Sequence, residues 1–166
     1  MIRAILDKRI AAFLDLIAWS EGTTESTVTK DDGYDVIVSG VDGAHVMSNY
    51  QEHPFATGTP PVVVRRGPPE LLSTASGRYQ ITLETWKEFQ KSSRANGFAP
   101  ATQDLAAYFL LQRRRAIADI LAGDIATAIA MCSLEWASFP GSLYGQPMQH
   151  MATLTGNYAR LLATYK

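Results

Sequence analysis

A glutamate at position 21 stands where an apolar helical stripe would place an inward side chain. Ile2, Leu6, Ile10, Phe13, Leu14 and Ile17 recur at helical spacing, with charged residues between them. Glu21 follows Ile17 by four residues, Leu14 by seven and Phe13 by eight, which puts it on the inward face at the helix's C-terminal end. Removal from water and the negative end of the helix dipole both disfavour a carboxylate there. A glutamate whose pKa climbs from about 4.3 towards 6 or 7 is a general acid at neutral pH. The same spacing is also met by a glutamate at a frayed helix end that turns to solvent.

Three clusters carry further polar chemistry. Trp19, Ser20, Glu21, Gly22 and Thr23 combine an aromatic ring, hydroxyls and an acid. Ser73 to Gln80 brings Ser76, Arg78, Tyr79 and Gln80 together, and Tyr144, Gly145 and Gln146 form the third cluster. Rings stack on sugar faces and amides bond sugar hydroxyls, so these types suit carbohydrate; each cluster alone also fits a plain turn. Ser20, Ser76, Tyr79 and Gln80 are candidates to bond a sugar or to orient Glu21. Arg78 suits either a ligand carboxylate or an internal salt bridge.

Other chemistries find little support. His45, His53 and His150 show no paired metal-ligand spacing, so no metal or other cofactor is expected. Cys132 falls on an apolar helix face and reads as core. No glycine-rich phosphate loop occurs, and aromatics do not alternate with basic residues as on a nucleic-acid platform. A net charge of −1 gives no global attraction to nucleic acid or an anionic surface. Charges at Arg3, Asp7, Lys8, Arg9 and Asp15 break any membrane-spanning or signal-peptide core, so no stable membrane insertion is expected.

The elements that must position these residues follow from pattern. A chain of 166 residues, 46% hydrophobic, suits one globular domain over 1–166 with its own core. Gly22 is a helix stop, and Tyr34–Val38, bounded by Gly33 and Gly40, predicts a strand, half of a small hairpin. From Val41 to Pro69 the prolines forbid a long helix, and we expect a mobile loop that forms a cleft wall or lid, with Val62–Val64 as an edge strand. Further helices are expected with Leu83, Trp86 and Phe89 on one face, and with Leu105, Tyr108, Phe109 and Gln112 on another after a Thr102 cap. The next would end at Gly123, another would start from an Asp124 cap and bury Ile125, Ile129, Cys132 and Trp136, and a last would carry Met151, Leu154, Tyr158, Leu161 and Tyr165. The expected class is a mainly helical α+β domain.

Taken in order, several segments resemble the lambda-type phage endolysins, a family of lytic transglycosylases in the lysozyme-like superfamily. They are Phe13-Leu14-Asp15, Ala18 to Thr23, Gly33 to Val38, His53-Pro54, Ser73-Thr74 with Gly77 to Gln80, Trp136-Ala137-Ser138 with Pro140-Gly141, and Tyr144-Gly145-Gln146. They cover nearly the whole chain. The resemblance implies a lysozyme-like fold with a small β-hairpin or sheet beside the cleft. It also implies Glu21 as the catalytic residue, with Asp35, Tyr79, Gln80 and Tyr144 among the cleft residues. The stretch from Val41 to Leu72 is longer and richer in proline than is usual in that family, and Ala75-Ser76 replaces a more usual Gly-Ala pair.

The activity implied is cleavage of the β-1,4 bond from N-acetylmuramic acid to N-acetylglucosamine in peptidoglycan glycan strands, forming 1,6-anhydro ends. One carboxylate suffices for it, so Asp35 reads as an orienting group, or as a plain turn-stabilising residue. A hydrolytic muramidase using Glu21 with Asp35, and a non-catalytic wall-binding module, are the competing readings. The resemblance further implies a monomer made in the host cytoplasm that acts on the periplasmic cell wall, with a holin giving access.

Overall fold

The computed structural model describes residues 6–143 and 147–166. Ile2, Tyr144, Gly145 and Gln146 lie outside the described residues. Helices dominate, with two small antiparallel sheets near the front of the chain, as expected for a mainly helical α+β protein. The chain forms two compact units, one of residues 1–21 with 107–166 and one of residues 22–106.

The first unit is helical. Helix α1 (Lys8–Ser20) begins at Asp7, whose side chain accepts from the Arg9 N–H, and ends at Glu21 with Gly22 at a positive φ of 73°. Ala11, Ala12, Leu16 and Ala18 are buried along with the anticipated Ile10, Phe13, Leu14 and Ile17, so the helix is enclosed on nearly every side rather than along one stripe. It packs on α4 (Ile117–Ala122) and α6 (Met151–Leu162), while α5 (Ile125–Cys132) packs on both of those. Gly123 closes α4 at φ 83°, and Asp124 caps α5 by accepting from the Thr127 N–H. Ile125, Ile129 and Cys132 are buried on α5 as expected, but the helix ends at Cys132, so Trp136 is buried from the loop beyond it rather than from the helix. Phe13 meets the Phe139 and Tyr158 rings edge-on at 6.2 Å.

The second unit holds the strands. β1 (Val36–Gly40) and β2 (Gly43–Val46) form the expected hairpin, with Val36 opposite Val46 and Ile37 opposite His45. β3 (Val62–Arg65) pairs with β4 (Leu71–Ser73), so the valine run is a strand with a partner on one side. Gly40 lies so close to the Val63 carbonyl that any Cβ would collide with it, which lets β1 approach β3. The segment 41–69 is therefore anchored at both ends by strands, which corrects the expectation of one long loop. From within this segment His53 packs against Trp86 and Phe98, with His53 and Phe98 centroids 4.7 Å apart. Thr82 caps α2 (Leu83–Ser93), which buries Trp86 and Phe89.

Helix α3 (Pro100–Arg113) departs from expectation in two ways. It starts at Pro100, whose fixed φ suits a first helical position, so Thr102 is inside the helix rather than its cap. Its buried positions are Gln103, Asp104, Ala106, Ala107, Leu110 and Leu111, whereas Leu105 is 41% exposed. Two buried polar residues and two alanines hid this face from a reading based on large apolar side chains.

Candidate active site

The helix end at Glu21 supplies a carboxyl group in a confined setting. Glu21 is half-buried, and the loop after α5 is folded back towards it within the same unit. Trp136 and Phe139 pack with centroids 6.0 Å apart and anchor that loop. Glu135, nearly enclosed, pins its base by accepting from Arg113 at 2.6 Å and Arg114 at 2.5 Å. Between the two aromatics' neighbours sits Ser138, whose hydroxyl donates to Glu21 Oε1 at 2.7 Å and whose backbone N–H approaches the same oxygen at 3.4 Å. Ser138 Oγ is also 2.9 Å from Ser20 Oγ, and the Ser20 hydroxyl donates to the Ile17 carbonyl at 2.9 Å.

Burial pushes the Glu21 pKa above its ordinary value, while the hydrogen bonds from Ser138 pull it down; burial is the larger effect. The alternative of a helix-end glutamate turned freely to solvent therefore does not apply. A carboxyl group that holds its proton more tightly than usual, yet has a donor ready for the ionised form, has support in both protonation states, which a general acid and base needs.

In the second unit, the residues singled out from sequence form a framework around the 76–81 turn. Ser76 is fully buried, exchanges backbone hydrogen bonds with Ile81, and donates its hydroxyl to the Thr74 carbonyl. Tyr79 is fully buried; its hydroxyl donates to Asp104 at 2.7 Å, and Tyr34 donates to the same oxygen at 2.6 Å. Gln80 is half-buried with a positive φ of 48°, and its side-chain amide donates to the Gly77 carbonyl. Asp35 is buried, accepting from the Thr29 hydroxyl at 2.5 Å and the Lys30 N–H at 2.9 Å. Arg78 takes the internal option: its guanidinium pairs with Asp32 at 2.6 Å and lies over the Tyr34 ring.

The structure thus groups Ser20 with Glu21, and Ser76, Tyr79 and Gln80 in one turn, with Asp35 organising the loop before β1. Tyr144 and Gln146 lie outside the described residues. Ser138 carried no assigned role in the sequence, although it belongs to one of the matching segments. Gln103 and Asp104 were also missed: the Gln103 amide accepts from the Arg78 N–H and donates to the Tyr34 and Phe98 carbonyls, tying three segments together. No local pattern singles them out, because both are polar residues whose burial comes from segments distant in the chain. A pocket of about 660 Å³ lies in the same unit, bounded by Ile37, Met47, Asn49, Gln51 and Phe55.

Comparison with known proteins bears on the family and the fold. Residues 11–165 match the family model described as Endolysin. The chain is 48% identical over 141 residues to the endolysin of Escherichia phage P2, covering 84% of each. It is 40% identical over 142 residues to the endolysin of Escherichia phage lambda, covering 85% of this chain and 82% of that one. Among solved structures it is similar to bacteriophage lambda lysozyme complexed with a chitohexasaccharide, at a TM-score of 0.84 and 36% identity, covering 94% of this chain and 95% of that one. With a family match along almost its whole length and a lysozyme-like α+β fold, the chain belongs to the lambda-type phage endolysins, enzymes that degrade peptidoglycan in host lysis.

Proposed function

We propose that the protein cleaves the β-1,4 bond between N-acetylmuramic acid and N-acetylglucosamine as a lytic transglycosylase, with Glu21 as its only acid and base. The observation that carries this reading is the Glu21 carboxyl, raised in proton affinity by burial and met by the Ser138 donors. Protonated Glu21 gives its proton to the bridging oxygen as the bond from C1 to that oxygen breaks. The Glu21 carboxylate then takes the proton from the muramic acid 6-hydroxyl as that oxygen bonds to C1. A 1,6-anhydro ring forms, Glu21 regains its proton, and no water is consumed. An internal nucleophile of this kind reaches effective molarities of about 10⁵–10⁸ M, which substitutes for a second carboxylate that would activate water.

The use made of Asp35 supports the one-carboxylate reading over the hydrolytic muramidase. Both of its oxygens accept hydrogen bonds from the Thr29–Lys30 turn, an organising role rather than that of a base held ready for water. Ser20, Ser76, Tyr79, Gln80, Tyr144 and Gln146 remain the residues we assign to the glycan and to the frame that presents it. In this reading Ser76 and Tyr79, being enclosed, act by shaping the turn that carries Gln80. We further assign the two units to one catalytic domain acting as a monomer on the periplasmic wall, with a holin providing access.

Digestion of purified peptidoglycan in ¹⁸O-labelled water tests the chemistry. Products one water lighter than hydrolysed muropeptides, without label at the new muramic ends, are expected. Label at those ends would overturn transglycosylation in favour of hydrolysis.

A further inference from the structure

Glu21 presents two carboxyl oxygens, and the structure treats them unequally. Oε1 receives both donors of one residue: the Ser138 hydroxyl at 2.7 Å and the Ser138 N–H at 3.4 Å. The Ser138 hydroxyl has a single proton and two acceptors within reach, since Ser20 Oγ is 2.9 Å away and commits its own proton to the Ile17 carbonyl. A charged acceptor holds such a proton more strongly than a neutral hydroxyl does. The Ser138 proton is therefore drawn to Oε1 when Glu21 is ionised, and Ser20 becomes a comparable acceptor when Glu21 is neutral.

We propose that Ser138 is a positioning residue for the acid. It keeps Oε1 an acceptor, so that the acid proton is carried on Oε2, and it stabilises the carboxylate that forms once that proton has been given. The inference rests on the assignment of Glu21 as acid and base. It adds a residue that touches the catalytic carboxyl, on a loop remote in sequence, and gives Ser20 a part as the alternative acceptor.

The geometry supports a dedicated arrangement. The Ser138 carbonyl accepts from the Gln149 N–H at 2.8 Å, and Trp136 and Phe139 are buried on either side, so the loop is held from both directions. Several charged groups elsewhere in the helical unit have partners of their own. Glu135 is taken by Arg113 and Arg114, Asp15 of α1 accepts from the Tyr165 hydroxyl, and Arg160 of α6 is bonded to Asn157. Asp119 of the adjoining α4 lies in that helix's first turn. Among the described residues, no charged side chain contributes to the altered proton affinity of Glu21; burial and Ser138 account for it.

Two readouts test this. The first is the titration of the Glu21 side-chain carboxyl by NMR with ¹³C-labelled glutamate, assigned by its absence in E21Q; it requires no turnover. In S138A the Glu21 pKa should rise, because the donors that favour the ionised form are weakened. The second is turnover: kcat should fall roughly 10-fold with KM little changed, the size expected for a hydrogen bond to a charged group. The alkaline limb of the rate profile should move upward with the carboxyl titration. S138T, which retains the hydroxyl, should restore both. S138C, a weaker donor of similar shape, serves if S138A does not fold and should give a smaller rise in the same direction. An unchanged or lowered Glu21 titration in S138A or S138C overturns the proposal, even with E21Q inactive. An active E21Q instead removes the proposed function, while the carboxyl titration still reads the hydrogen bond by itself.

Discussion

At the scale of single residues, Glu21 combines a functional advantage with a stability cost. Its folded-state pKa lies above the ordinary value of 4.5, so between those two values the native protein binds more protons than the unfolded chain. The stability this gives is complete below about 4.5 and is lost as pH rises through the folded pKa. E21Q should therefore melt at the same temperature as the wild type or higher at pH 7, with the difference closing below about pH 4.5. Its activity on peptidoglycan should fall by about 10²–10⁴-fold, since an amide cannot move a proton. Turbidity assays and thermal melts across pH check both, and activity within a few-fold of wild type would remove Glu21 from the chemistry. D35N should be milder in activity. It disturbs the bonds to Thr29 and Lys30, and a loss of about 1–3 kcal/mol in stability is expected from one unmatched buried donor. A kinetic loss equal to that of E21Q would favour a two-carboxylate hydrolase.

At the scale of elements, the strand-bearing unit depends on a neutral histidine. His53 is fully buried among Phe55, Trp86 and Phe98; its Nε2–H donates to the Ile81 carbonyl at 3.0 Å, and its Nδ1 accepts from the Phe55 N–H. Burial lowers its pKa from 6.5 to about 4. The unfolded chain then binds the extra proton first, so stability is complete above 6.5 and is lost as pH falls through about 4. Across that window the slope should approach about 1.4 kcal/mol per pH unit from this group. H53Q should flatten the slope while lowering stability at every pH through lost ring packing; a slope equal to that of wild type would contradict the assignment. The Glu135 clamp supports the helical unit in a similar way. E135Q leaves Arg113 and Arg114 without their shared carboxylate, and because both are partly exposed a loss of about 2 kcal/mol is expected, read by denaturant titration.

At the scale of the whole molecule, the route by which the protein reaches the wall is open to a direct test. No helix among the described residues is long and apolar enough to cross a membrane. The net charge of −1 provides no broad electrostatic pull towards an anionic surface. Under the proposed reading, in which a holin gives access to the wall, cells producing the protein alone should keep their optical density, and lysis should follow within minutes of permeabilising the inner membrane. Prompt lysis without permeabilisation would contradict dependence on a separate access route.

Sequence by itself determined the helical class, the β1–β2 hairpin, most caps and the placing of Glu21 at the end of α1. These follow from local rules: apolar period, positive-φ glycines and side chains that bond their own backbone a few residues away. The ordered motifs also carried the family. Tertiary structure alone decided which polar residues are enclosed. Gln103 and Asp104 lie on the buried face of α3, where their partners, Arg78, Tyr34 and Tyr79, come from segments far away in the chain. Tyr79 and Ser76 look like sugar-facing groups by type, yet are enclosed because such partners satisfy them. Ser138 is the sharpest case, lying 117 positions from Glu21. Its hydroxyl matters only because packing of Phe13, Trp136 and Phe139 brings the loop after α5 to the end of α1, and no local pattern encodes a contact made by the chain closing on itself.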